Sequence, residues 1–192
     1  MKFLALRTTS WRGIKKNRGM NTMDVFTAIS ERRSVRAYKN VDIEEDKLKK
    51  ILEAARQSPS AKNRQLWKFI VVKDARTREK LVEAANGQAF IGEAPVVIVA
   101  CGTETDYIMS CGQHAYTIDV SIACAYMILE ACELGLGSCW LGSFKEAEVK
   151  RILNIPESVR VVTMIPFGYP VEPGAKKHRK DMVDIVSYEK YA

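Results

Sequence analysis

Residues 114–134 constrain the fold more than any other stretch. Ile118, Val120, Ile122, Ala123, Ala125, Met127, Ile128, Leu129 and Ala131 fall on all sides of a helical projection and leave little polar surface. A helix that is apolar nearly all round must be buried over most of its circumference. In a chain of 192 residues, enough for one sizeable core, this predicts a central helix that also meets a partner subunit, and so a homodimer. The plainer alternative is a core helix in a monomer. No uninterrupted apolar run approaches the roughly 20 residues of a membrane span. Phe3-Leu4-Ala5-Leu6 is too short for a signal-peptide core. No membrane association is expected.

The other segments can be arranged around that helix. Val25, Phe26, Ala28 and Ile29 give residues 24–33 a helical spacing that ends in an arginine cluster. A second helix opens at Asp42 or Glu44 and runs to Gln57, with Leu48, Ile51, Leu52 and Ala55 as its apolar stripe; Ser58-Pro59 stops it. Residues 67–72 read as a strand and 75–85 as a helix with Asn86-Gly87 at its exit. The wholly apolar run 95–100 suits a strand buried on both faces. After the long helix, Gly135-Leu136-Gly137 forms a cap, 139–142 crosses as strand or turn, and 145–153 is helical. A β-rich strand over 159–165 is expected to stop at Pro166, followed by an arm at 172–177 and a last short strand at 182–187. Strands and helices mix without a regular alternation, so the fold class is α+β. The expectation is one domain over 23–192. Met20 and Met23 stand just before the first periodic segment, so residues 1–22 read as a mobile extension or an upstream start.

Net charge is +7, which could mark nucleic acid, a membrane surface or anionic small molecules. Much of the excess sits in Lys2, Arg7, Arg12, Lys15, Lys16 and Arg18, with no acid before Asp24. The remainder is close to balanced and offers no aromatic-and-basic platform, so nucleic acid is discounted. Five cysteines without a C-x-x-C pair argue against a disulfide framework or a zinc site. They fit a reducing, cytoplasmic setting.

Glu31-Arg32-Arg33-Ser34-Val35-Arg36 places three guanidinium groups and a hydroxyl within a few residues. Guanidinium forks match phosphate oxygens two bonds at a time. Ser58-Pro59-Ser60-Ala61-Lys62-Asn63-Arg64-Gln65-Leu66-Trp67 follows a helix later, with Ser, Asn and Gln in a turn that feeds an apolar strand. Together they suggest a grip on a phosphorylated, partly aromatic small molecule; the bland reading is a solvated basic helix end and a polar loop. Gly135-Leu136-Gly137-Ser138-Cys139-Trp140 lacks the third glycine of a dinucleotide fingerprint and follows a helix rather than a strand. P-loop, G-x-S-x-G and H-E-x-x-H motifs are absent, and His114 and His178 are too far apart to suggest a local ligand pair.

Taken in order, Arg-Arg-Ser-Val-Arg at 32–36, Ser-Pro-Ser-x-x-Asn-Arg-Gln-x-Trp at 58–67, Gly-Leu-Gly-Ser-Cys-Trp at 135–140, Gly-Tyr-Pro at 168–170 and His178-Arg179-Lys180 ahead of 183–188 resemble the FMN-dependent nitroreductase family. The resemblance runs from about Met23 to Tyr191. It implies an α+β homodimer with a central, mostly antiparallel sheet flanked by helices, its long central helices in the interface and FMN at the seam. It implies that Arg32, Arg33, Ser34 and Arg36 hold the phosphate, ribityl chain and pyrimidine edge, and that Lys177 and Arg179 return to the phosphate. Pro59, Ser60 and Asn63 would come from the partner and line the ring. Leu141, Gly142 and Ser143 would bring a backbone N–H toward flavin N5 and O4. No metal is implied.

One departure matters. Some members carry a Lys shortly after an Asn before the central strand; here Asn86-Gly87-Gln88-Ala89 puts Ala89 in that place. Asn86 can still contact the ring, and Arg36 is left as the positive charge near N1 and O2. Residues 107–116 are expected to form a lid, the alternative being an ordinary surface loop.

The activity so implied is an oxidoreductase that takes a hydride from NAD(P)H and reduces nitroaromatics, quinones or similar acceptors in a ping-pong scheme. No side-chain nucleophile or base is required, so no catalytic residue is named. The alternatives are a flavin-using reductive dehalogenase or flavin-fragmenting enzyme on the same fold, and a non-enzymatic flavin-binding regulatory protein.

Overall fold

The computed structural model describes residues 23–191; the expected extension at 1–22 lies outside them. Asp24 caps the first helix, α1 (Val25–Glu31), by accepting from the Thr27 N–H and hydroxyl at 3.0 and 2.8 Å. Next come α2 (Glu45–Arg56), a 3₁₀ turn at Ala61–Asn63 and strand β1 (Trp67–Val72). Then follow α3 (Ala75–Ala84), capped by Asp74, the single turn α4 (Phe90–Glu93) and β2 (Val96–Gly102). The second half is α5 (Ala115–Glu133), β3 (Gly137–Ser138), α6 (Glu146–Leu153), β4 (Arg160–Gly168) and α7 (Met182–Ile185).

The strands form one antiparallel sheet in the order β1-β2-β4-β3. Strand β2 is buried at every position, and its alternation explains why it is apolar throughout. Val97, Val99 and Cys101 join the core with α3, α4 and α6, while Val96, Ile98 and Ala100 join the core with α2 and α5. The sheet is therefore the middle of three layers.

Helix α5 lies on one face of that sheet, packed by α2 and α1. By length and composition alone it would be long enough to cross a bilayer, which qualifies the expectation that no such segment exists. Half of it is buried inside this chain, as a core helix would be.

Two strand expectations are corrected. Strand β4 does not stop at Pro166; it continues to Gly168, with Pro166 opposite Val97 and Phe167 opposite Val96. Along β4, Met164 accepts from the Leu141 N–H at 3.0 Å, and the Pro166 carbonyl accepts from the Tyr38 hydroxyl at 3.3 Å. The Pro166 nitrogen shares the direction of its own carbonyl, away from β2, so the β2 ladder loses no donor. The second correction is at the C-terminal end: residues expected to form a strand contain the exposed helix α7 instead.

Candidate functional site

The arginine cluster leaves α1 in an extended run held on both sides. Val35 is buried and its N–H donates to the Ser138 carbonyl at 2.9 Å, while Ser34 bridges to Ser138. This fixes an alternation in which Val35 points inward and Ser34 and Arg36 outward. Gly137 makes the contact possible: a Cβ there would sit 2.7 Å from a Val35 methyl. On the far side the C-terminal arm docks through the Val171 N–H, which donates to Ala37 O at 3.1 Å, and through Gly174, whose Cβ would lie 2.6 Å from the Ser34 carbonyl oxygen.

That docking carries Lys176, Lys177 and Arg179 across to Arg32, Arg33 and Arg36. The six cations and Ser34 share one cavity of about 320 Å³, and no carboxylate among the described residues lines it. Arg33 also serves the helix end, donating to Ser30 O and Arg32 O at 2.6 and 2.9 Å, with Glu31 at 3.7 Å. Cys139 lies beside the cluster. Burial pushes its thiol up, against the pull of Arg36, a hydrogen bond with Ser34 and Arg32. Cys101 and Cys124 are pushed up by burial to about 11 and about 12. These three thiols are protonated at neutral pH and supply no nucleophile.

Pro59, Ser60 and Asn63 do not line that cavity. They sit in a separate tight loop where Lys62, Asn63 and Gln65 all have positive φ (53, 54 and 55°). Ser60 Oγ accepts from the Gln65 N–H at 3.0 Å, and both Asp119 carboxylate oxygens accept from the Ala61 N–H at 3.0 and 3.1 Å. Arg64 pairs with Glu104 and lies 4.5 Å from the centre of the Tyr107 ring. The expected lid is a small hairpin in which Met109 N–H donates to Gln113 O at 2.9 Å and Ile108 bridges to His114. It contacts this loop through Tyr107.

Asn86, Gly142 and Ser143 meet at a third place. Asn86 Nδ2 donates to Ser143 Oγ at 3.2 Å, and Gln88 Nε2 donates to Ser143 O at 3.0 Å. Leu141 is buried and its N–H is taken by Met164 O, which leaves Gly142 and Ser143 as the donors this segment can offer. Gly142 is exposed.

Sequence reasoning missed four residues. Lys176 had a signal, the basic run through residue 180. Gln88 stood beside the Asn86 already singled out. Gly174 and Asp119 act through contacts distant in sequence, which no local pattern reveals.

Fold and cavity together define a three-layer α+β protein with a concentrated cluster of cationic side chains around one cavity. A family model described as "Putative TM nitroreductase" matches residues 24–192, and the chain belongs to the nitroreductase family. A "Putative NADH dehydrogenase/NAD(P)H nitroreductase" of Methanothermobacter thermautotrophicus is 36% identical over 162 residues, 82% of this chain and 83% of that protein. An "FMN reductase [NAD(P)H]" of Bacillus subtilis is 26% identical, over 88% of this chain and 74% of the relative. The solved structure of an FMN-dependent nitroreductase from Clostridium difficile superposes with a TM-score of 0.73 at 32% identity, covering 85% of this chain and 98% of that one.

Proposed function

We propose that this protein is an FMN-dependent NAD(P)H oxidoreductase that reduces nitroaromatics, quinones or similar acceptors. The observation that carries the reading is the convergence of Arg32, Arg33, Arg36, Lys176, Lys177 and Arg179 on one cavity from opposite ends of the chain. A phosphate dianion is the natural counterpart of six cations facing a cavity that no carboxylate among the described residues lines. Its size suits the phosphate end of a mononucleotide, and the family relatives named for FMN support that cofactor.

On this reading Arg32, Arg33, Lys177 and Arg179 hold the phosphate, Ser34 the ribityl chain, and Arg36 the pyrimidine edge. Gly142 and Ser143 present backbone N–H groups to the ring, with Asn86 and Gln88 fixing their segment. FMN, when bound, supplies the two-electron chemistry between NAD(P)H and the acceptor in alternating half-reactions. The chain's part is to bind, orient and tune it electrostatically, which agrees with the buried thiol of Cys139 beside the cluster.

A homodimer completes the site. Val25, Phe26 and Ile29 on α1 are exposed in one chain, as are Ile118 and Tyr126 on α5. A groove of about 440 Å³ runs among Val25, Ala28, Tyr126 and Leu129. Exposed apolar side chains grouped on α1 and on the helix whose composition predicted an interface support one there. Pro59, Ser60 and Asn63 then serve the cofactor of the second protomer, which accounts for their distance from the cations of their own chain. Five unpaired cysteines fit a cytoplasmic setting. Reconstitution with FMN followed by NADPH and a nitro compound tests the activity: turnover that depends on added FMN is expected, and none would refute it.

A further inference from the structure

Asp119 is the feature of α5 that packing does not explain. The buried positions of α5 around it are Ala115, Tyr116, Val120, Ala123 and Cys124. Asp119 itself is 2% exposed, and among the described residues no cation pairs with it. Both its oxygens accept from one donor, the Ala61 N–H. Burying a carboxylate is costly, and an apolar side chain of similar volume is often at least as stable in such a place. What the carboxylate secures is the loop. Three non-glycine residues within four positions hold left-handed backbone conformations. Such conformations persist only where the surroundings over-determine them.

We propose that Asp119 is a positioning residue: from the central helix it pins the loop so that Ser60 and Asn63 are presented to the cofactor of the second protomer. The inference rests on the cofactor reading above. It adds that the buried acid is kept for the site and not for the fold.

The test compares the full-length parent with Asp119→Leu, Asp119→Asn and the double variant Asp119→Leu with Lys62→Gly. Without cofactor, trypsin cleavage after Lys62 and Arg64 reports loop release, and thermal melting reports the fold. FMN titration then reports the site. Asp119→Leu should be cut at least about tenfold faster and bind FMN about tenfold more weakly, with melting unchanged or raised. Asp119→Asn keeps an acceptor oxygen and should bind FMN within about threefold of the parent. Glycine at 62 removes a left-handed penalty and should restore part of the affinity. Parent-like cleavage and FMN affinity in Asp119→Leu would overturn the proposal. So would a lower melting temperature that accounts for the weaker binding, since Asp119 would then be structural. A parent that takes up no FMN would overturn the cofactor reading and this inference with it, whereas faster loop cleavage would still show the pin.

Discussion

Gly174→Ala should disable the cation cavity without removing any of its cations. A Cβ at this position would lie 2.6 Å from Ser34 O, 3.0 Å from Arg33 Cβ and 3.2 Å from Ser34 C. Two of these atoms are backbone, in a segment bridged to Ser138, so the arm must yield. Restoring ordinary contact moves it by most of an ångström. Lys177 and Arg179 follow a few residues later, on a stretch without regular secondary structure. Hydrogen bonds to charged groups are worth about 1.5–3 kcal/mol each. Losing one of them weakens FMN binding by roughly tenfold to a hundredfold. The core should be spared, because the arm is largely exposed. Fluorescence titration of cofactor-free protein with FMN, beside a thermal melt, measures both effects. Parent-like affinity in Gly174→Ala would refute the claim that arm docking builds the cavity; a collapsed melting temperature would refute the claim that the arm is separable from the fold.

Arg32→Ala and Arg179→Ala should each weaken FMN by roughly tenfold to a hundredfold in the same titration, with folding intact. Ile122→Asp should yield a folded monomer lacking flavin by light scattering. Ile122 is partly exposed, whereas Ile128 is packed in the core, so Ile128→Asp should fail to fold, burying a charge at a cost of several kcal/mol. At Glu146 burial raises the carboxyl pKa, but the Arg160 and Val161 hydrogen bonds and the Arg160 and Lys150 charges outweigh it, and the group lies below its ordinary value of 4.5. A depressed folded-state value stabilises above 4.5 and the gain is lost as pH falls through it. Glu146→Gln should therefore cost about 1 kcal/mol at pH 7 and progressively less below about pH 4.5, by denaturant melts across that range.

Much of the layer plan was legible because periodicity reports burial directly. Strand β1 and the second helix emerged within a residue or two of their observed bounds, and the unbroken apolarity of β2 followed from helices on both faces. The Arg32–Arg36 and Lys177–Arg179 groups were legible as chemistry, and the structure brings them together. Pro166 misled because its effect depends on which neighbour its nitrogen faces, a property of the sheet and not of the residue. The segment around α7 carries β-branched residues, yet a strand is decided by a partner edge, which local sequence does not report, and Met182–Ile185 is helical. Asp119 and Gly174 were invisible because each acts on a residue more than 50 positions away.

The most direct test is an anaerobic titration of the FMN-reconstituted protein with NADPH and then with a nitroaromatic acceptor, followed by visible absorbance. The expected result is a yellow protein that bleaches with about one equivalent of NADPH per bound FMN and regains its colour when the acceptor is added. A protein that retains no FMN, or one whose bound flavin neither bleaches with NADPH or NADH nor is reoxidised by the acceptor, would contradict it.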